Sequence, residues 1–260
     1  MEGDWFPVLD SRETYVHFNY GFGVLIDHVS QRAQGRASYG SSLLQNAVSG
    51  NSLFSSSSAI INDVTTLCKA GLASIAYFYF DFRDVAKQCR RNLLRSLLFQ
   101  LSTCSGVFCD ILSHLYVTHD KGARQPIDSD LTQCLKEMLA VPNQGPIYLI
   151  MDALDECPDT SDIPSACEEV LNLIQDLVHL RFPNLRICIT SRLEDGISEA
   201  LKPLASQTVN LQDELGQRKD IVNFVGSVVR SDKRMKGWRE NDKEYVIEKL
   251  SERADGMYER

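Results

Sequence analysis

Along the middle of the chain, short continuous apolar runs alternate with longer segments in which apolar residues recur at helical spacing. The short runs, rich in branched and aromatic residues, predict strands at residues 75–82, 146–152, 185–190 and 208–211. The longer segments predict helices at residues 53–69, 85–102, 130–139, 163–180 and 197–204. Because strands that alternate with helices form parallel sheets covered on both faces, the pattern predicts an α/β fold with a three-layer parallel sheet.

The two ends of the chain show different patterns. Residues 1–42 have no sustained period and a partly loop-like composition, which predicts a poorly ordered or peripheral segment. After residue 212 the pattern is purely helical, with helices predicted at 217–230 and 242–254, so residues 213–260 are predicted to begin a small helical subdomain. The α/β core is therefore expected to span residues 43–212.

Candidate caps mark two of the predicted helices. Gly71 follows the helix at 53–69 as a candidate C-cap, because glycine adopts the left-handed conformation that ends many helices. Asp128 and Ser129 precede the helix at 130–139 as candidate N-caps.

Composition and charge exclude several classes of partner. The 260 residues carry a net charge of −8, with the acidic excess spread along the chain, so no basic face is predicted for binding nucleic acid. No apolar run approaches the roughly 20 residues that cross a bilayer, and the first residues do not resemble a secretion signal. The 8 cysteines include no C-x-x-C pair, which favours reduced thiols over zinc ligands or disulfides. These features predict a soluble cytoplasmic protein that does not contact membranes.

Acidic residues follow the predicted strand at 146–152. Asp152 lies at its carboxyl end, where α/β sheets place their ligands, and a carboxylate there can hold Mg²⁺. Glu156 can orient or deprotonate an attacking water, and Asp155 can support either role. Taken alone, the same residues also fit a strand end whose acids cap the next helix without a metal.

The predicted strand at 185–190 ends in Thr190, which Ser191 and Arg192 follow. This sequence places two hydroxyls and a guanidinium at the same sheet edge as Asp152. The planar guanidinium matches phosphate oxygens, so Arg192 can sense a γ-phosphate. An arginine after a strand is, however, more commonly part of a surface ion pair.

Five segments in this order resemble the NACHT class of signal-transduction NTPases, in particular the fungal proteins whose core is nephrocystin-3-like. They are residues 76–84, 93–98, 150–157, 189–192 and 254–258, and the resemblance covers roughly residues 50–260. It implies a P-loop NTPase core that binds ATP or GTP with Mg²⁺ and acts as a switch by self-association or by meeting other signalling proteins. Relatives of this kind commonly carry ankyrin or WD repeats, so the chain is expected to be truncated relative to them.

The resemblance also implies roles for individual residues. Asp152 corresponds to the residue that holds Mg²⁺, Glu156 to the residue at the attacking water, with Asp155 beside it, and Arg192 to the residue that reads the γ-phosphate.

The phosphate-binding loop departs from the family. A working loop has the pattern G-x-x-x-x-G-K-S/T, in which the lysine reaches the β- and γ-phosphates and the hydroxyl binds Mg²⁺. In residues 45–52, Gly50 and Ser52 fit this pattern, but the short, uncharged Asn51 replaces the lysine. The strand that should precede the loop is also absent, so the core is expected to be incomplete at its N-terminal strand and hydrolysis weak or absent. A serine-rich turn that caps the next helix explains the same residues.

Two functions of different classes remain open. The leading hypothesis is a NACHT-type nucleotide-binding signalling switch, and the alternative is a nucleotide-independent pseudo-NTPase scaffold for protein–protein interaction. If Gly50 does not lie beside the carboxyl end of the strand that carries Asp152, the phosphate-loop hypothesis is wrong.

Histidines and basic residues outside these motifs are assigned structural roles. His114, His119 and His179 show no ligand spacing, so packing or surface roles are favoured. The basic residues of the predicted helix at 85–102 are expected to form a solvated face or a contact with a neighbouring protomer; they are Lys87, Arg90, Arg91 and Arg95.

Overall fold

A computed structural model of the chain describes residues 22–27, 56–158, 164–192, 194–210 and 215–254. The strands are β1 (Phe22–Asp27), β2 (Ser74–Tyr79), β3 (Ile147–Asp152), β4 (Leu185–Ser191) and β5 (Gln207–Asn210). The helices are α1 (Ser56–Lys69), α2 (Arg90–Cys104), α3 (Gly106–Thr118), α4 (Asp128–Leu139), α5 (Ala166–His179), α6 (Asp195–Leu201), α7 (Leu215–Ser231) and α8 (Glu240–Ala254).

The strands form one five-stranded sheet in the order β2-β3-β4-β1-β5. β2, β3 and β4 are parallel, with Tyr79 opposite Asp152 and Met151 opposite Ile189. The prediction of a parallel α/β sheet is therefore confirmed for these three strands. β1 runs antiparallel to both of its neighbours, which makes the whole sheet mixed.

β1 is a correction to the sequence-based prediction. The sequence pattern predicted a poorly ordered or peripheral segment there, whereas Phe22–Asp27 pairs with β4 on one side and with β5 on the other. An isolated six-residue run gives a weak signal, because its strand conformation depends on the two partners that supply its hydrogen bonds. The rest of residues 1–42 lies outside the described part of the chain.

Helices cover both faces of the sheet, which confirms the three layers. In β3, Ile147, Leu149 and Met151 face the larger core, to which α2 to α6 contribute. Tyr148 and Ile150 face the smaller core, which they form with residues of α1. All six residues of β3 are buried, which explains the continuous apolar run that identified this strand in the sequence.

α1 ends in a Schellman motif, which confirms Gly71 as part of its C-cap. Gly71 has φ +71°, and its N–H donates to the Cys68 carbonyl at 2.9 Å. The Leu72 N–H donates to the Leu67 carbonyl at 3.0 Å, which completes the motif. Because β2 begins at Ser74, the carboxyl end of α1 lies at the amino edge of the parallel strands. Ile61 and Val64 of α1 pack against β3, so this helix of 14 residues, about 21 Å long, lies along the sheet. Its amino end therefore points toward the carboxyl edge.

Helix α3 was missed by the sequence analysis, which predicted no helix between residues 102 and 130. α3 buries Phe108 and Leu112 against the core but leaves Val107, Tyr116 and Val117 exposed. Apolar residues on several faces of a helix hide the 3.6-residue period by which helices are recognised.

The start of α4 differs from the prediction as well. The helix begins at Asp128, and Ile127 is its N-cap, so the candidate N-caps Asp128 and Ser129 lie inside the first turn. The Asp130 carboxylate accepts a hydrogen bond from the Ile127 N–H at 3.1 Å. The first turn of α4 is therefore capped by the carboxylate of Asp130, its third residue, and not by an N-cap side chain as expected.

β2 lies at one edge of the sheet, and α2 covers its outer side. The Gln100 side chain accepts a hydrogen bond from the Tyr77 N–H at 3.1 Å and donates to the Tyr77 carbonyl at 2.7 Å. The Cys104 thiol lies 3.7 Å from the Ile75 carbonyl. A side-chain amide therefore takes the place of a neighbouring strand, which protects this edge from pairing with another chain.

Arg90 and Arg91 of α2 contact α4, whereas the sequence predicted a solvated face or a contact with a neighbouring protomer for them. The Arg91 guanidinium forms an ion pair with Asp128 and donates to the Pro126 carbonyl at 2.6 Å. Arg90 donates to the Thr132 hydroxyl at 3.0 Å. These contacts join α2 and α4, which are not adjacent in the chain.

His119 packs at the junction of α3 and α4, which is one of the two roles, packing or surface, that the sequence left open. It is 8% exposed, and its Nε2 lies 3.0 Å from an Asp130 carboxylate oxygen. The Ile127 N–H and, to a smaller extent, His119 hold the pKa of Asp130 below its ordinary value of 3.8.

We expect Asp130→Asn to weaken the acid dependence of stability. Because the pKa of Asp130 is lower in the folded state, its contribution is complete above about pH 4 and is lost as pH falls through the folded pKa. The stability lost when Asp130 is protonated should be below roughly 1 kcal/mol, since the Asp130 side chain is partly exposed. Urea unfolding at pH 7 and pH 3 measures it, and the variant should lose less stability between these pH values than the wild type. Equal losses in both proteins would contradict the expectation, and the exposed Asp110→Asn should behave like the wild type.

Candidate functional site

The site begins at the carboxyl end of β3. Asp152 is the last residue of this strand and is 8% exposed. Thr190, near the end of β4, donates its hydroxyl proton to Asp152 Oδ1 and accepts a hydrogen bond from the Ala153 N–H at 3.1 Å. The Asp152 carbonyl accepts from the Phe80 N–H at 3.0 Å. Asp152 is therefore held from both neighbouring strands.

A left-handed residue turns the chain directly after Asp152. Ala153 has φ +56° and ψ +49°, a conformation that costs a residue other than glycine roughly 1 kcal/mol. The turn leads into a short 3₁₀ helix, Leu154–Glu156, whose Leu154 is fully buried in the larger core. Burial of Leu154 and the hydrogen bond from Ala153 to Thr190 offset this strain and fix where the two following acids point.

Asp155 binds the backbone and the side chain of Arg192. Its carboxylate accepts from the Arg192 N–H at 2.9 Å and lies 3.2 Å from the Arg192 Nε. The Asp155 side chain is only 2% exposed, whereas the Arg192 side chain is 54% exposed. The arginine is thus fixed at its Nε by a buried carboxylate while much of its side chain faces solvent.

Glu156 contacts the loop that follows β2. Its carboxylate accepts a hydrogen bond from the Phe82 N–H at 3.2 Å, and the residue is 9% exposed. Burial raises the pKa of Glu156 above its ordinary value, the Phe82 N–H opposes this shift, and nearby Asp155 and Asp81 add to it. A carboxylate with a raised pKa is suited to accept a proton near neutral pH.

The loop after β2 is braced against the site by two further hydrogen bonds. The Gln88 side chain donates to the Asp81 carbonyl at 3.1 Å, and the Cys157 thiol donates to the Gln88 carbonyl at 3.3 Å. β2 ends at Tyr79, earlier than the predicted residue 82, and Phe82 is 65% exposed. The end of the predicted strand is therefore a loop that carries the donor to Glu156.

The structure brings together one part of the predicted site. Asp152, Asp155, Glu156 and Arg192 lie at the carboxyl ends of the adjacent strands β3 and β4. Residues 50–52, with the candidate phosphate ligands Gly50, Asn51 and Ser52, lie outside the described part of the chain.

Two contacts of the site were missed by the sequence analysis. The sequence predicted that the Thr190 hydroxyl lies at the same sheet edge as Asp152. Its hydrogen bond to Asp152, however, depends on the register between β3 and β4. The donor to Glu156 is a backbone N–H of Phe82, and a single sequence carries no signal for such a contact.

In the ranges that the structure describes, no group of three or more His, Cys, Asp or Glu side chains is arranged to hold a metal ion. None of the described helices is long and apolar enough to cross a membrane. All eight cysteines are free thiols in the structure, and burial raises the pKa of Cys188 to about 12.

Three parallel strands with helices on both faces, and acidic residues at their carboxyl edge, define an α/β protein with its candidate site where such sheets bind ligands. The chain belongs to the family described as nephrocystin 3, N-terminal, whose model matches residues 43–192, more than half of its length. Neither the curated proteins nor the solved structures contain a match to the chain.

Proposed function

We propose that the chain is the nucleotide-binding core of a NACHT-type signalling switch that binds ATP or GTP with Mg²⁺ and hydrolyses it weakly or not at all. The observation that carries the proposal is the arrangement at the ends of β3 and β4. There, Asp152 is held by Thr190, and Arg192 is held by Asp155. Membership of the nephrocystin 3 N-terminal family supports the same lineage.

The orientation of α1 gives further support. Its amino end points toward the carboxyl edge of the parallel strands, and residues 43–52 precede it in the chain. The first turn of a helix exposes backbone N–H groups and the positive end of the helix dipole, which favour phosphate. A phosphate at this end of α1 would face the same edge as Asp152 and Arg192.

The donor set suits Mg²⁺ better than a metal held by protein alone. Mg²⁺ keeps most of its water and takes one or two protein oxygens together with phosphate oxygens. Asp152 supplies such an oxygen, and Ser52 is the second candidate by resemblance. A bound Mg²⁺ would neutralise phosphate charge, which helps to hold the nucleotide.

Hydrolysis is expected to be weak because the cationic partner of the phosphates is missing. Asn51 replaces the lysine of the phosphate loop, so charge that develops on the γ-phosphate lacks a stabilising cation. The raised pKa of Glu156 suits a base, but a base alone does not replace this electrostatic stabilisation. Binding and switching, rather than turnover, are therefore the proposed activities.

One observation favours the alternative, a nucleotide-independent scaffold. β1 begins opposite Ser191 and ends opposite Arg186, so the chain leaves β1 at the amino edge of the parallel strands. A phosphate loop joins a strand to a helix at the carboxyl edge. β1 therefore cannot lead directly into a phosphate loop at the site, and residues 43–52 would have to reach it by another path.

Nucleotide titration distinguishes the two functions. Fluorescent analogues of ATP and GTP are titrated into the full chain with Mg²⁺ and with a chelator. We expect Mg²⁺-dependent binding by the wild type, and Asp152→Asn should weaken it about tenfold or more because the metal loses an ionised ligand. Asparagine keeps the size of the side chain and an oxygen that accepts from Thr190.

The exposed Asp176 of α5 provides the matched control, since Asp176→Asn removes the same charge away from the site. This variant should bind like the wild type. If the wild type does not bind nucleotide even at millimolar concentration, the switch is excluded and the scaffold function is supported.

A further inference from the structure

Thr190 makes two contacts that together fix the direction of its hydroxyl proton. The Ala153 N–H is only a donor, so the hydroxyl oxygen accepts at that contact, 3.1 Å away. The single hydroxyl proton is then directed at Asp152 Oδ1, to which Thr190 donates. An ionised carboxylate only accepts hydrogen bonds, so this direction is compatible with the metal-binding form of Asp152.

The strand pairing makes this contact rigid. Met151 is opposite Ile189 in the parallel pair of β3 and β4, so Asp152 and Thr190 follow as neighbours at the ends of the two strands. Threonine is β-branched, and its χ1 angle has few accessible values on a strand. The hydroxyl therefore holds Asp152 Oδ1 with little freedom.

We propose that Thr190 is a positioning residue that orients the Asp152 carboxylate for Mg²⁺. The proposal rests on the proposed function, because it concerns the metal that accompanies the nucleotide. Hydrogen bonds to a ligating carboxylate fix its orientation, and their loss typically lowers metal affinity about 10- to 100-fold. By this assignment Thr190 acts on the metal through Asp152 and does not itself contact the phosphates.

A purely structural role of Thr190 makes a different prediction. If the hydroxyl only tied β3 to β4 and supported the left-handed Ala153, its loss would lower stability and nucleotide affinity with and without metal alike. A positioning role changes the Mg²⁺ requirement selectively. The Mg²⁺ concentration that gives half-maximal nucleotide binding therefore separates the two roles.

The test compares Thr190→Val, which removes the hydroxyl at nearly constant shape, with Thr190→Ser, which keeps it. Binding of the fluorescent nucleotide is followed during Mg²⁺ titration, and again in a chelator. We expect Thr190→Val to raise the Mg²⁺ midpoint about tenfold or more and to leave metal-free nucleotide affinity within about twofold. Thr190→Ser should have a midpoint within about threefold of the wild type. Thermal unfolding without ligand verifies that both variants fold.

Four outcomes would overturn this role. An unchanged Mg²⁺ midpoint in Thr190→Val, or an equal loss of affinity with and without Mg²⁺, overturns it while the proposed function stands. If Thr190→Val does not fold, Thr190→Ser decides, and a shift in its midpoint as large as that expected for valine overturns the role of the hydroxyl. If the wild type shows no Mg²⁺-dependent binding, the proposed function fails, and this role fails with it.

Discussion

Leu149→Ala is expected to destabilise the protein by about 2–5 kcal/mol. Leu149 lies in the middle of β3, between two parallel neighbours, and is fully buried in the larger core. The substitution removes apolar contacts and leaves a cavity that a strand hydrogen-bonded on both sides cannot close by moving. Because domains are typically stable by only about 5–15 kcal/mol, this loss should be evident in urea unfolding as a lower midpoint.

Leu72→Ala is the control for this expectation. The substitution is chemically the same, but the Leu72 side chain is 62% exposed in the link between α1 and β2. Its effect should stay within about 0.5 kcal/mol, as for most surface positions. Equal losses at the two positions would contradict the placement of β3 at the centre of the core.

Gly145→Ala is expected to destabilise the protein by about 1–3 kcal/mol, although alanine is ordinarily a mild replacement for glycine. A Cβ atom at position 145 would lie 2.7 Å from the Leu72 carbonyl oxygen and 3.3 Å from its carbonyl carbon. Both atoms belong to the backbone of the link into β2, so they cannot rotate away. The turn before β3 must therefore separate from that link, and thermal unfolding should show a lower midpoint.

Gly106→Ala is the matched control, since a Cβ atom there meets nothing within 4 Å. Gly106 is the first residue of α3, and alanine reduces the freedom of the unfolded chain and favours helix. The variant should be neutral or more stable by up to about 1 kcal/mol. If Gly145→Ala is as stable as Gly106→Ala, the close approach between residues 72 and 145 is wrong.

Much of the fold could be predicted from the sequence because burial imposes a pattern on it. The six buried residues of β3 form a continuous apolar run, and Asp152 marks the end of that strand. The predicted strands at 75–82, 146–152 and 185–190 each overlap an observed parallel strand. Helix α3 escaped prediction because Val107, Tyr116 and Val117 are apolar but exposed, so the helical period is obscured.

The candidate site, like the fold, could be predicted from the sequence only in part. The residue types at its core, Asp152, Asp155, Glu156 and Arg192, could be selected from the sequence, because acids and an arginine directly after buried strands point to a ligand edge. Their partners could not be selected. Thr190 pairs with Asp152 through strand register, and Glu156 receives a backbone N–H that every residue except proline possesses.

By itself, the sequence determined the α/β class, the positions of the three parallel strands along the chain and the acidic residues at their carboxyl edge. Periodicity and strand ends are local properties, so a sequence shows them directly. Only the tertiary structure decided that β1 enters the sheet antiparallel, that Gln100 closes the edge of β2 and that Gly145 must lack a side chain. Each of these depends on contact between segments far apart in the chain. Such contacts are fixed by packing and hydrogen-bond geometry, which leave no period in the sequence.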